Sequence, residues 1–258
     1  MRNFEKDKRD LINKGYLIKK VESKKSLKYI SDFLKKKLIN EINIKKSQQF
    51  SFNNLHKYIE INQLNSIRLK LIKYINQNSL FRKNLFFLAK QNLYEMVGNE
   101  LAMQNNINLS IQFPNDESSL LPLHADTWSG DSPFETVLWL PLVNCYKTKS
   151  MFILNQKKYK KFLNIYKNKE VNDVSNLFKK LKKDFNFIKI NYGNYLFFNQ
   201  SLPHGNIINK TKETRISINC RFKGLFTPYA EKKLGKFFSP LNLRPASQIG
   251  LKYKFPGE

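Results

Sequence analysis

His124 and Asp126 stand two residues apart, His204 follows much later, and Arg215 and Ser217 come soon after it. The chain has three histidines in 258 residues, and two of them fall in this one pattern. Two imidazoles and one carboxylate can occupy one face of an octahedral Fe(II) ion, leaving three positions for a chelating co-substrate and O2. In an extended His124-Ala-Asp126, residues two apart point to the same side, so both could reach one ion. The third ligand must then come from a distant strand brought alongside, as happens when a sheet closes into a barrel or sandwich. The segment from Tyr195 to Asn206 reads as a buried strand, a turn and a second strand that begins at His204. An HxD by itself would equally suit a zinc or structural role; the order of all five residues is what favours iron. The remaining histidine, His56, reads as a helix residue outside the pattern.

Arg215-Ile-Ser217-Ile-Asn219-Cys-Arg221-Phe alternates between polar and apolar residues, the mark of a strand with two unlike faces. Arg215 and Ser217 therefore share a face. A planar guanidinium can grip a carboxylate with two hydrogen bonds, and a neighbouring hydroxyl can add another. The pair suits the distal carboxylate of 2-oxoglutarate while the keto-acid end chelates iron. Alone, Arg215 would pass for a surface ion-pair residue. Asn108-Leu-Ser110-Ile-Gln112-Phe alternates in the same way, so Gln112 faces either this cavity or solvent, and Asn219 belongs to the Arg215 face.

On these residues the sequence resembles the Fe(II)/2-oxoglutarate-dependent dioxygenases, whose pattern of HxD, a long gap, His and then Arg-x-Ser is matched by His124, Asp126, His204, Arg215 and Ser217. Within that superfamily it is similar to the phytanoyl-CoA hydroxylase-like branch. The text that carries this is Leu121-Pro-Leu-His-Ala-Asp-Thr-Trp, Val137-Leu-Trp-Leu-Pro-Leu-Val and Gly193-Asn-Tyr-Leu-Phe-Phe-Asn-Gln-Ser-Leu-Pro-His-Gly. It spans residues 108–223, and it looks closest to bacterial oxygenases encoded among carbohydrate-biosynthesis genes, the streptomycin-cluster type. The resemblance implies Fe(II), 2-oxoglutarate and O2 as cofactor and co-substrates. It implies decarboxylation to succinate coupled to hydroxylation of a small carbohydrate-related metabolite. Halogenating relatives lack the carboxylate that Asp126 supplies, so oxygen insertion is expected, with desaturation, epimerisation or cyclisation left open. Relatives also place a tryptophan beside the co-substrate where this chain has Trp139, although a tryptophan in Val-Leu-Trp-Leu also reads as plain core.

Length and composition bound the rest. One domain is expected, and a hydrophobic fraction of 41% supports a sizeable core. The formal net charge is +26, from 46 Lys and Arg against 20 Asp and Glu. Such an excess invites nucleic acid. Here it is mostly lysine, spread along the chain among abundant Asn, Ile and Phe, the mixture an AT-rich genome imposes on any protein. The other reading is attraction of an anionic or sugar-linked substrate. No apolar run is long enough for a membrane span and the first residues lack the apolar core of a secretory leader, so a soluble cytoplasmic enzyme is expected. Cys145 and Cys220 have no metal-ligand spacing and are expected as buried reduced thiols. Oligomeric state is not encoded in any pattern here.

The expected architecture is α+β, a double-stranded β-helix (jelly-roll, cupin-like) core with N-terminal supporting helices. Residues 1–103 read as mainly helical support, 104–223 as the barrel core with a helical insertion over 156–184, and 224–258 as an irregular tail. Helical stripes run through Leu27, Ile30, Phe33, Leu34 and Leu38, through Leu64, Ile67, Leu71 and Ile75, and through Phe86, Leu88 and Leu93. Their expected target is the apolar face of Ile216, Ile218, Cys220 and Phe222. Two rival readings stand beside the dioxygenase. One is an AlkB-like nucleic-acid dealkylase, suggested by the Arg215-x5-Arg221 spacing and the charge, but lacking that branch's NxY element before HxD. The other is a non-catalytic metal-binding barrel.

Overall fold

The computed structural model describes residues 4–42, 50–167 and 174–256. Helix α1 (Phe4–Lys14) leads into β1 (Tyr16–Lys20), then α2 (Lys24–Glu41), α3 (Ile61–Asn76), α4 (Ser79–Phe87) and α5 (Lys90–Met96). Strands β2 (Leu101–Gln104), β3 (Asn108–Gln112), β4 (Glu135–Pro141) and β5 (Phe152–Leu154) follow. After α6 (Tyr159–Lys167) and α7 (Val174–Leu181) come β6 (Phe185–Phe187), β7 (Asn194–Asn199), β8 (His204–Gly205), β9 (Arg215–Gly224), β10 (Phe238–Asn242) and α8 (Pro245–Gly250).

The long helices begin where the sequence supplies a cap. Ser23 accepts the Ser26 amide at the start of α2, and Asn78 accepts that of Phe81 at the start of α4. The buried apolar residues of α2 (Leu27, Ile30, Leu34 and Leu38) and of α3 (Leu64, Ile67, Leu71 and Ile75) are those of the apolar stripes. Phe33 is only partly buried. The third stripe is divided between α4 and α5, with Leu88 fully buried at the break.

The larger sheet is antiparallel and runs β1-β7-β4-β9-β2-β10. Strand β9 organises it. Strand β4 pairs along one side, while β3 and then β2 share the other. The alternation of β9 turns Ile216, Ile218, Cys220 and Phe222 to one face, where all four are fully buried in one cluster with the α2 and α3 stripes. Arg215, Ser217, Asn219 and Arg221 are thereby committed to the opposite face. The smaller sheet, β6-β5-β8, is covered by the lysine-rich insertion, whose Phe162, Ile165, Leu177 and Leu181 pack with Phe152, Leu154 and Phe185. Residues 168–173 of that insertion lie outside the described residues.

Three local readings change. The HxD is not a strand: His124 forms an isolated bridge with His204, and a 3-10 turn starts at Asp126. Ala125 is nonetheless extended (φ −122°, ψ 138°), which keeps the ligand side chains on one side. The segment from 224 onward is not wholly irregular, since β10 pairs with β2 at the sheet edge and α8 follows it. Pro240 hid that strand, because a residue without an amide proton is tolerated only at an edge, and the register shifts just after it. Within the helical first third, β1 adds an edge strand beside β7. Cys145 and Cys220 are free and buried, and burial pushes each thiol up to about 12. No helix among the described residues is long and apolar enough to cross a membrane.

Because Ile218 lies fully buried on the central strand between both sheet neighbours and the helices, Ile218→Ala should lower unfolding free energy by about 2–5 kcal/mol. Urea denaturation followed by circular dichroism measures it.

Candidate active site

The two histidines are placed by backbone before any side chain acts. His124 and His204 exchange backbone hydrogen bonds, His124 N to His204 O at 2.9 Å and His204 N to His124 O at 2.7 Å. Each ring then turns back on its own chain. Nδ1 of His124 meets the Pro122 carbonyl at 2.8 Å, and Nδ1 of His204 meets the Leu202 carbonyl at 2.8 Å. A carbonyl can only accept, so Nδ1 carries the proton in both rings and Nε2 presents a lone pair. Oδ1 of Asp126 lies 3.5 Å from Nε2 of His124 and 3.8 Å from Nε2 of His204. One ligand atom from each residue falls within 4.8 Å of the others. That donor set, two imidazoles and one carboxylate on a common point, fits a divalent iron site.

Electrostatics keep Asp126 and His204 in ligand form. Burial would raise the Asp126 carboxyl, but contact with His124 and the nearness of His204 and Arg221 outweigh it and hold the group well below the usual carboxylate range. Burial pushes His204 down to about 4, so it is neutral near pH 7. For His124 burial also opposes the charged form, yet its contacts with Asp126 and the Pro122 carbonyl raise the pKa above its ordinary value. Gly205, next to His204, permits the close approach. A Cβ there would come within 2.8 Å of the Leu121 and Pro122 carbonyl oxygens and 2.9 Å of Phe152.

The three residues open onto a cavity of about 640 Å3 between the sheets, also lined by Trp139, Met151, Phe198, Arg215, Ser217, Asn219 and Arg221. Arg215 is almost wholly buried and pairs with no carboxylate among the described residues. Its Nη2 donates to Ser110 Oγ at 3.1 Å, its Nε has no partner, and the buried Ser217 hydroxyl has none either. Burial pushes the guanidinium down to about 10. An unpaired buried cation costs several kcal/mol, so this pocket is shaped for an anion. A carboxylate would satisfy both Arg215 and Ser217. Trp139 pairs with Asn219 in register and lines the same cavity.

Gln112 is not brought to that wall. It is fully buried opposite Arg215 in register, but its amide donates to the Ile207 carbonyl at 2.8 Å and it does not line the cavity. His56 lies apart from the metal ligands, with Nδ1 2.9 Å from Thr214 Oγ1. Sequence reasoning did not find Ser110, Asp131 or Gln200. Ser110 carried a usable signal, because it alternates with Gln112 on β3 and pairs with Ser217. Asp131 and Gln200 carried none, since their contacts depend on how two loops meet.

Single replacements His124→Ala, Asp126→Ala and His204→Ala should each reduce Fe(II) or Ni(II) binding by at least about 100-fold in a folded protein, because two remaining donors cannot define the ion's position. Gly205→Ala should weaken the metal as well by forcing the Pro122 carbonyl from its place beside His124. Calorimetric titration of metal-free protein reads both effects.

No family model matches the sequence, and no curated protein matches it. Solved structures do match the fold. A non-heme monooxygenase, ThoJ in its apo form, aligns with a TM-score of 0.58 at 10% identity, over 91% of this chain and 84% of that one. EctD from S. alaskensis, also in its apo form, aligns with a TM-score of 0.57 at 12% identity, over 88% and 79%. HygX from Streptomyces hygroscopicus, solved with nickel, 2-oxoglutarate and hygromycin B, aligns with a TM-score of 0.52 at 11% identity, over 91% and 90%. The α+β chain, with its antiparallel two-sheet core and N-terminal helices, thus shares the fold of these three solved structures.

Proposed function

We propose that this protein is an Fe(II)- and 2-oxoglutarate-dependent dioxygenase that hydroxylates a small, polar, carbohydrate-related metabolite. The observation that carries the reading is the conjunction, in one cavity, of three convergent metal-ligand atoms with a buried guanidinium that pairs with no carboxylate among the described residues and whose Nε, like the neighbouring Ser217 hydroxyl, lacks a partner. His124, Asp126 and His204 would hold the iron. Arg215 and Ser217 would hold the distal carboxylate of 2-oxoglutarate. When bound, the metal and 2-oxoglutarate supply O2-dependent oxidation coupled to decarboxylation to succinate.

The chain's own residues do the positioning. Arg215 lies on a strand paired on both sides, and Ser110 holds one edge of its guanidinium, so the anion site is preorganised. Trp139, Met151 and Phe198 provide an apolar wall that keeps water from the reacting centre. The outer part of the cavity is polar, lined by Asn65, Arg68, Asn108, Ser118 and Ser119. Arg68 is oriented by Asn65 Oδ1 at 2.6 Å and has no ion-pair partner among the described residues. It supports an anionic group on the substrate. The likeness to a structure solved with 2-oxoglutarate and hygromycin B supports a small-molecule substrate. Against the nucleic-acid reading, Arg221 is engaged by Asp126 at 2.8 Å, so the second arginine of the Arg-x5-Arg spacing is not free to grip a ligand carboxylate.

Succinate formation stimulated by members of a panel of nucleotide sugars, acyl thioesters and amino acids tests the reading. Absence of any 2-oxoglutarate turnover in iron-loaded protein would instead indicate a non-catalytic metal-binding barrel. Arg215→Leu should raise the 2-oxoglutarate requirement at least about tenfold while leaving metal affinity near wild type, since losing the partner of a buried charge costs about 2–5 kcal/mol. Arg68→Gln should raise the KM of an anionic substrate by on the order of tenfold without changing the 2-oxoglutarate requirement. Mass spectrometry of product made under 18O2 separates hydroxylation, with one labelled oxygen, from desaturation or ring closure, with none.

A further inference from the structure

We infer that Arg221 is a positioning residue for the metal centre, one that holds Asp126 as a one-oxygen ligand; the inference rests on the triad assigned above. The two carboxylate oxygens of Asp126 have different surroundings. Oδ1 faces the histidines, 3.5 and 3.8 Å from their Nε2 atoms. Oδ2 faces away from them into an ion pair with Arg221 Nη2 at 2.8 Å. A carboxylate that chelates an ion needs both oxygens. Here the second is already taken by a cation, so an incoming metal would find Oδ1 alone free to bind it.

Arg221 is itself held, as a positioning group must be. Its Nε donates to Gln200 Oε1 at 2.9 Å, and its Nη1 and backbone amide meet Gln104 Oε1 at 3.3 and 3.1 Å. Gln200 is fixed in turn, donating to the Ser132 carbonyl at 3.0 Å and to Glu135 Oε2 at 2.8 Å. The carbonyl of Gln200 also accepts the Asp126 amide at 3.1 Å, so one residue anchors both the ligand's backbone and the cation on its side chain. Nε of Arg221 lies 3.2 Å from Asp131 Oδ1, and Asp131 pairs with Lys232 from the segment after β9. Asp126, Arg221, Asp131 and Lys232 thus alternate in sign along one chain of ion pairs. Removing the Arg221 charge would leave Asp126 and Asp131 facing each other and free Asp126 to rotate.

Metal-free protein titrated with Ni(II) and, separately, with Co(II) tests this without relying on turnover. R221Q should bind each ion 10–100-fold more weakly, the loss usual when a group orienting a ligand is removed (about 10–100-fold). The visible Co(II) spectrum should change as the carboxylate's mode of binding alters. R221K should bind more tightly than R221Q because it restores the cation. D131N, nearly isosteric, should weaken binding at least about threefold by loosening Arg221, and it decides the matter if R221Q does not fold. Folded R221Q with affinity within about twofold of wild type and an unchanged Co(II) spectrum would overturn the inference, even if its melting temperature fell. So would R221K binding no tighter than R221Q, or D131N binding like wild type. Failure of the triad itself is read separately: an Asp126→Ala protein that keeps wild-type metal affinity would remove Asp126 as a ligand whatever Arg221 does.

Discussion

The backbone bridge between His124 and His204 is the constraint on which the site depends. Two short hydrogen bonds fix the separation and relative tilt of chain segments far apart in sequence, with ring centroids 4.4 Å apart. Each imidazole is then held by a carbonyl two residues upstream, and the Phe198 ring packs edge-on against that of His204, its centroid 5.0 Å away. Gly205 is the steric condition for that arrangement, because the carbonyls of Leu121 and Pro122 occupy the space a side chain would need. Ligand placement by paired backbone gives the precision that a coordination site requires.

Facing this bridge, β9 supplies the other wall. Its alternation spends one face on packing against the helices and the other on Arg215, Ser217, Asn219 and Arg221. The same strand pairing thus provides both the apolar burial that stabilises the fold and the row of polar groups that defines the cavity. The two arginines have opposite circumstances. Arg221 is neutralised by Asp126 and Asp131, while Arg215 is buried without a countercharge. A buried cation left unpaired is the feature a folded protein retains when a ligand completes it, as an anionic co-substrate would.

Charge on the exterior needs no such account. The excess of lysine is spread over the surface, much of it on exposed helix faces and in the insertion over the small sheet. Within the cavity the pattern is instead specific: its lining sets half-buried Arg68 and buried Arg215 beside apolar Trp139, Met151 and Phe198.

Periodicity and spacing determined a good deal on their own. The stripes of α2 and α3 declared their buried faces, because apolar residues at helical intervals leave one side that must be covered. The alternation of β9 put Arg215 and Ser217 together, since residues two apart on a strand share a face. The order of His124, Asp126 and His204 pointed to three residues whose ligand atoms the fold brings within 4.8 Å of one another. Other features were decided only when the chain folded. Nothing in Gln112 distinguishes a cavity-facing amide from one turned to the Ile207 carbonyl; its neighbours on the next segment choose. Strand β10 exists because an open edge beside β2 accepts a proline-bearing segment with no strand-like pattern. The HxD bends into a turn at Asp126 where a strand was the simpler expectation, and that bend delivers the carboxylate to Arg221. Contacts among residues distant in sequence are set by how sheets and loops meet in space, and local composition carries no record of that meeting.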